Sequence, residues 1–241
     1  MTARRFSAAT YNIHKCVGYD RHHRPERTFA VLRELDADVI GIQEFDSRPR
    51  RGRGAISVAD FEAATGYRAL EQPTMRRDGG FHGNLLLTRL PVLRDERIAL
   101  EFTGFEPRGV LVADLEVAGQ AVRVAVTHLG LWPGVRRRQA RLLVDRLEPP
   151  DGAPLVLLGD LNEWLPLAGC DSILRARFGH ASNGPTWPAR RPLVAYDRVL
   201  VTPGACVVES RIHGTELARA ASDHLPVRTE IAWTPEHFTA R

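Results

Sequence analysis

Pro154-Leu-Val-Leu-Leu-Gly-Asp160-Leu-Asn162 is the stretch on which the reading of the fold turns. Its apolar run reads as a strand covered on both faces, as strands between layers of helix and sheet are. Gly159 permits a tight exit, and Asp160 and Asn162, two apart, point to one side, where such a pair can hold and orient a water. Working outward, a helix over 135–147 precedes this strand, with Leu142, Leu143 and Leu147 inward and its arginines outward. Before that helix, strands at 108–117 and 121–127 flank Ala-Gly-Gln, a hairpin turn in which glycine takes positive φ, and lead to His128. After it, an irregular stretch with Pro185, Pro188 and Pro192 gives way to strands at 195–201, 205–211 and 225–231.

The first half of the chain has the same plan. Phe6-Ser-Ala-Ala-Thr-Tyr-Asn12 alternates as a strand, a helix opens at Pro25 with Phe29, Leu32 and Leu35 on one face, and Val39-Ile-Gly-Ile-Gln-Glu44 is again a strand. Ser57 caps a second helix that carries Phe61 and stops at Gly66, and Asn84-Leu-Leu-Leu-Thr88 is a strand ended by Pro91. Two βα halves with consecutive strands predict an α/β fold of two stacked sheets flanked by helices.

Length and composition set the frame. The 241 residues, 44% hydrophobic, suffice for one core, and with no repeat or linker the expectation is a single domain over 1–241, its core at about 6–231 and a tail at 232–241. No apolar run of signal or membrane-spanning length is present, which predicts a soluble, cytoplasmic protein, and no obligate protein partner is evident in the sequence. Cys16, Cys170 and Cys206 form no C-x-x-C pair, which argues against a disulfide framework or a thiolate zinc site. The net charge of +4 and pI near 9.3 admit nucleic acid. Yet of 33 basic residues only Lys15 is lysine, a preference that reflects base composition rather than a binding patch. The runs at 48–53 and 136–138 read as a mobile loop and a solvated helix face.

What recurs is a polar residue where a strand ends. Strands end in polar residues simply because the chain re-enters solvent, so Asn12, Glu44 or His128 alone decides nothing. Ser222-Asp223-His224 puts an acid and an imidazole side by side before a strand, where a metal ligand and a general base could enter one site. Asp197 opens a strand and needs a cationic or imidazole partner if buried, for which His224 is the candidate.

Taken in order, Tyr11-Asn12, Gln43-Glu44, Gly83-Asn84 through Pro91, Arg108-Gly109, Thr127-His128-Leu129, Gly159-Asp160-Leu-Asn162, Tyr196-Asp197-Arg198 and Ser222-Asp223-His224 resemble the endonuclease/exonuclease/phosphatase superfamily over about residues 6–231. That superfamily includes deoxyribonucleases, abasic-site endonucleases, neutral sphingomyelinases and inositol-polyphosphate phosphatases. Within it, Tyr-Asn-Ile-His14-Lys and Thr186-Trp-Pro-Ala-Arg-Arg-Pro192 look like a small bacterial branch. The resemblance implies a four-layer α/β sandwich with two mixed sheets face to face, and a phosphoric ester hydrolase dependent on Mg²⁺ or Mn²⁺. Glu44 would be the principal metal ligand, joined by Asn12 and Asp223. Asp160 would position or deprotonate the attacking water, Asn162 would orient it or bind a phosphate oxygen, His224 held by Asp197 would bond the phosphate or act as base, and His128 would contact the phosphate or protonate the leaving oxygen. Asn84 and Arg108 would bind substrate.

Two positions depart from the family. Abasic-site endonucleases carry an aspartate ligand where this chain has His14. The deoxyribonuclease branch supplies an acid partner for the residue matching His128, which has no match in this chain, Asp78 being an unsupported candidate; His82, next to Gly83-Asn84, is the remaining histidine of interest. The expected substrate is a phosphodiester of a lipid headgroup or small molecule, with nucleic acid or a phosphomonoester as alternatives and an inert binding module as the non-enzymatic one.

Overall fold

A computed structural model describes residues 3–49, 55–165, 169–180 and 184–234; the basic residues Arg50 to Arg53 and residues 235–241 of the expected tail lie outside these. Among the described residues twelve strands form two six-stranded mixed sheets. The first is built from β1 (Arg4–Asn12), β2 (Val39–Asp46), β3 (Arg68–Arg77), β4 (Gly80–Thr88), β11 (Ala205–Ile212) and β12 (Val227–Trp233), in the order β11-β12-β1-β2-β4-β3. The second takes β5 (Val92–Ala99), β6 (Gly109–Val117), β7 (Gln120–His128), β8 (Leu155–Asp160), β9 (Gly179–His180) and β10 (Asp197–Val201), in the order β5-β6-β7-β8-β10-β9. Each sheet has one parallel pair at its centre, β1 with β2 and β7 with β8. The crossovers run through α1 (Pro25–Leu35) and α3 (Pro133–Arg146), as parallel neighbours require.

Side-chain alternation creates three apolar layers. Ala8, Leu158 and Val126 point between the sheets with Trp233. Their sequence neighbours Ala9 and Leu157 point outward, the first under α1 and α2 (Val58–Thr65), the second under α3 and α4 (Gly169–Leu174). Helix, sheet, sheet, helix is thus the four-layer sandwich the strand pattern predicts. Each fully buried aliphatic side chain contributes about 1.5–3 kcal/mol, so the double-sided burial of β8 is why its run carries no polar residue before Asp160. At Gly41 in β2 the sheets come so close that a β-carbon would sit 3.0 Å from both Leu158 Cβ and Val126 Cγ2.

Several elements differ from the sequence reading. β3 and β5 were not expected; both are edge strands, β5 mostly exposed and β3 buried only at Leu70 and Gln72, so neither shows the apolar alternation that marks a half-buried strand. α4 and α5 (Glu216–Ala221) are six residues each, too short for periodicity. β12 continues to Trp233, which is buried against Phe6, so 232–233 belong to the core rather than a tail. The arginines of α3 do not all face outward. Arg136 is buried, 3.5 Å from Glu163, and donates to the carbonyls of Gly130 and Leu131, pinning the segment after His128. Among the described residues no helix is long and apolar enough to cross a membrane.

Candidate functional site

Parallel pairs place the C-terminal ends of β1, β2, β7 and β8 at one edge of the sandwich, and with them Asn12, Glu44, His128 and Asp160. β10 runs antiparallel to β8 in a register that sets Asp197 opposite Asp160, so the start of β10 reaches the same edge. Ligand crevices outside the carboxyl ends of strands are the general rule for such sheets. Among the non-glycine residues with left-handed backbone here are Glu44 (φ 58°), at a bulge that shifts the β2–β4 register between Ile42 and Phe45, and Asn162 (φ 50°). Strain of this kind, of order 1–3 kcal/mol each, persists where surrounding structure enforces it and clusters at functional sites.

Asp160 is the hub. Buried at 1% exposure, it accepts from Asn162 N–H at 2.9 Å through Oδ1 and from Asn12 Nδ2 at 3.0 Å through Oδ2. The same Oδ2 lies 3.5 Å from His128 Nε2 and 3.8 Å from His224 Nε2. Asn162 donates to Leu129 O and approaches His128 Nε2 at 3.0 Å. The two imidazoles are driven apart electrostatically. Burial, reinforced by nearby Arg108, pushes His128 down to about 4 against the pull of Asp160 and Glu44. Burial opposes charge on His224 too, but the Asp197 carboxylate, 2.8 Å from Nδ1, prevails with help from Asp160 and Asp223 and holds it up at about 10. At neutral pH one histidine is therefore neutral and the other an imidazolium. Asp197 is itself braced by Thr186 Oγ1 at 2.6 Å.

Glu44 receives Lys15 Nζ at 3.1 Å and Asn12 Nδ2 at 3.2 Å. Burial would raise its carboxyl; His128 and Lys15 outweigh that and keep it well below the usual range. Lys15 stands on a short 3-10 turn, His14–Cys16, in which all three residues have positive φ. Lys15, Glu44, His128, Asp160, Asn162 and His224 line a cavity of ≈ 320 Å³ together with His82, Glu106, Arg108, Leu131, Trp187 and Tyr196. A larger hollow of ≈ 900 Å³ beside α2 carries none of the strand-end residues, so chemistry rather than size selects the site.

Not every expected residue faces this cavity. The Asn12 carbonyl oxygen accepts from His14 N–H at 3.0 Å, so the side chain presents its amide hydrogens to Glu44 and Asp160 and bridges them instead of offering a cation an oxygen. Asp223 is turned toward Trp187 Nε1 (3.3 Å) and His14 Nδ1 (3.5 Å). Asn84 is buried, its nearest partner the carbonyl of Gly109 at 3.5 Å, whereas Arg108 lines the cavity and meets Glu106 at 3.0 Å. Asp78 is an exposed turn residue beside Arg77; the carboxylate nearest His128 is Asp160. Lys15, Glu106, Trp187 and Tyr196 were not foreseen, although the chain's single lysine was a usable signal.

As a cation site the donor set is coherent. Asp160, Asp197 and His224 offer ligand atoms within 4.8 Å of one another. His224 Nδ1 and Asp197 are committed to each other, and the ammonium of Lys15 already marks Glu44 as a place that favours positive charge, one Asn12 bridge away from Asp160. Hard carboxylate oxygens at the edge of a wet cavity suit Mg²⁺ or Mn²⁺.

The model of the Endonuclease/Exonuclease/phosphatase family matches residues 9–224. The chain is 31% identical over 255 residues to the uncharacterized protein YbhP of Escherichia coli (strain K12), spanning 94% of this chain and 96% of that one. The crystal structure of an endonuclease/exonuclease/phosphatase from Beutenbergia cavernae DSM 12333 superposes with a TM-score of 0.78 at 23% identity, covering 96% of this chain and 72% of that chain. A mannosyl-6-phosphatase of Bacteroides thetaiotaomicron VPI-5482 superposes with a TM-score of 0.73 at 17% identity, covering 94% and 99%. At these identities the structural likeness is one of fold.

Proposed function

The chain belongs to the endonuclease/exonuclease/phosphatase family, and from that premise we propose that it is a divalent-metal-dependent hydrolase of a small-molecule or lipid-headgroup phosphodiester, by attack of water on phosphorus. The observation that carries the reading is one buried carboxylate, Asp160, set between a neutral and a charged imidazole. Asp160 would orient and deprotonate the water, with Asn162 fixing its position through the 162 N–H. His224, as an imidazolium, would donate to the phosphoryl oxygens and stabilise the charge that builds there, a role that its proton favours over that of base. Asp197 and Thr186 would fix its ring. His128, neutral, would contact the phosphate rather than protonate the leaving oxygen, beside Arg108. Glu44 and Asp160 would hold Mg²⁺ or Mn²⁺, which when bound would polarise the phosphoryl group and offset its charge.

Cavity size and charge support a small substrate. A volume of ≈ 320 Å³ suits a headgroup or metabolite. Several arginines away from the cavity are matched by acids, Arg27 by Asp20, Arg89 by Asp36 and Arg123 by Asp114, and so are not free to neutralise the phosphates of a duplex. Parallel assays on phospholipid vesicles, plasmid DNA and inositol phosphates with Mg²⁺ or Mn²⁺ test this. Lipid or small-diester cleavage is expected; nicking of DNA as the sole activity, or release of phosphate from monoesters alone, would replace the proposal with the nuclease or phosphatase reading.

A further inference from the structure

Six of the ten large hydrophobic side chains exposed among the described residues, Phe105, Leu131, Trp132, Trp164, Leu165 and Leu193, belong to four segments at the site edge, each with 43–80% of its surface in water. Phe105 precedes β6, Leu131 and Trp132 follow β7, Trp164 and Leu165 follow β8, and Leu193 precedes β10. Those strands are successive neighbours in the second sheet, and β6 and β10 run opposite to β7 and β8, so all four segments emerge at the edge that holds the cavity. At about 4.8 Å per strand they make a ridge roughly 14 Å along the cavity mouth. Phe105 and Trp132 are in ring contact at 6.5 Å, Leu131 lines the cavity itself, and Leu193 bonds through its N–H to the carbonyl of Trp187 on the cavity wall.

Exposed arginines flank the ridge: Arg137 and Arg138 on the first turns of α3, directly after Trp132, and Arg190 and Arg191 beside Leu193. Two exposed acids, Glu101 and Glu106, share these segments, the second engaged by Arg108. Tryptophan and leucine edged by arginine is the composition of a surface that seats in the headgroup layer of an anionic bilayer. Leucine offers no ring for a nucleic-acid base, so half of the ridge would be idle against a single strand. We propose that this ridge docks the protein on anionic phospholipid membranes and presents the cavity to headgroup phosphoesters. The docking stands on the ridge alone; the assignment of headgroups as substrate rests on the hydrolase reading above.

The test is cosedimentation of the EDTA-treated protein with phosphatidylcholine vesicles with and without phosphatidylglycerol, read with tryptophan emission, for wild type and the double variant Trp132→Ser, Leu193→Ser. Neither residue is in the proposed catalytic machinery, and serine suits position 132, which is the N-cap of α3 and makes no side-chain cap bond. Wild type should bind the phosphatidylglycerol vesicles with a blue-shifted emission, and the variant should bind about tenfold more weakly or less while retaining wild-type turnover of a soluble nitrophenyl diester. Failure of wild type to bind, or equal binding by the variant, overturns the docking. So does binding of single-stranded DNA that the variant loses in place of vesicle binding. Vesicle binding without any turnover supports the docking while overturning the hydrolase reading.

Discussion

Replacing Asp197 with asparagine removes the charge that holds His224 protonated while keeping the shape of the side chain. Raising the imidazole from its ordinary 6.5 to about 10 amounts to roughly 5 kcal/mol in favour of the imidazolium, at about 1.4 kcal/mol per pH unit. The His224 side chain is only 8% exposed, so solvent screens little of this. Burial is the largest influence on the group and works against charge; Asp197 is the largest one working for it, ahead of Asp160 and Asp223. Without Asp197 the titration should fall by about three pH units, to the ordinary imidazole range or below. Ring resonances of His224 followed by NMR in EDTA-treated protein report it directly. The stability consequence has a definite sign: a raised histidine contributes fully below its unfolded value of about 6.5 and loses that contribution as pH climbs to about 10. The stability gap between wild type and Asp197→Asn should therefore be widest near pH 6 and shrink toward pH 10. A variant in which His224 still titrates above about 9 would refute the assignment of its charge to Asp197.

Lys15→Met removes the ammonium that competes at Glu44; Mn²⁺ binding, measured by calorimetry, should tighten about three- to tenfold, a change of order 1 kcal/mol, and unchanged or weaker binding would remove Glu44 from the cation site. Trp233→Ala empties a buried position packed edge-on to Phe6 at 5.8 Å, and denaturant unfolding should show a loss of about 3–5 kcal/mol; a loss below about 1 kcal/mol would return this residue to a tail. Gly41→Ala forces a β-carbon to 3.0 Å from Leu158 and Val126, and should destabilise by about 1–3 kcal/mol through overpacking between the sheets; a neutral change in unfolding midpoint would show that the sheets part easily there.

The strands with an apolar face were legible because burial writes a period of two, or an unbroken run, into the sequence. Edge strands β3 and β5 write neither, since β5 is mostly exposed and β3 is buried only at Leu70 and Gln72. At the site, residues at or next to strand ends could be found: Glu44, His128 and Asp160 converge because parallel register makes strand ends coincide, and antiparallel pairing brings the starts of β10 and β12, with Asp197 and His224, to the same edge. Side-chain direction was not legible. Asn12 and Asp223 were expected as cation ligands, but hydrogen bonds to the His14 backbone and to Trp187 decide where their oxygens point, and those partners come from loops with no periodic signature. Lys15, Glu106 and Tyr196 reach the cavity for the same reason. The arginine-rich composition misled at Arg136, where a buried guanidinium braces the loop after His128.

The central claim is that water placed and deprotonated by Asp160 attacks phosphorus while charged His224 stabilises the phosphoryl oxygens; Glu44 would hold the Mg²⁺ or Mn²⁺ that adds to this charge stabilisation. Hydrolysis of bis-(p-nitrophenyl) phosphate in ¹⁸O-water with Mg²⁺ or Mn²⁺ tests it most directly. The label should appear in the nitrophenyl phosphate and not in nitrophenol, and turnover should fall by about a hundredfold or more in Glu44→Gln and in His224→Ala. Turnover that persists in both variants, or label in the nitrophenol, would contradict the account.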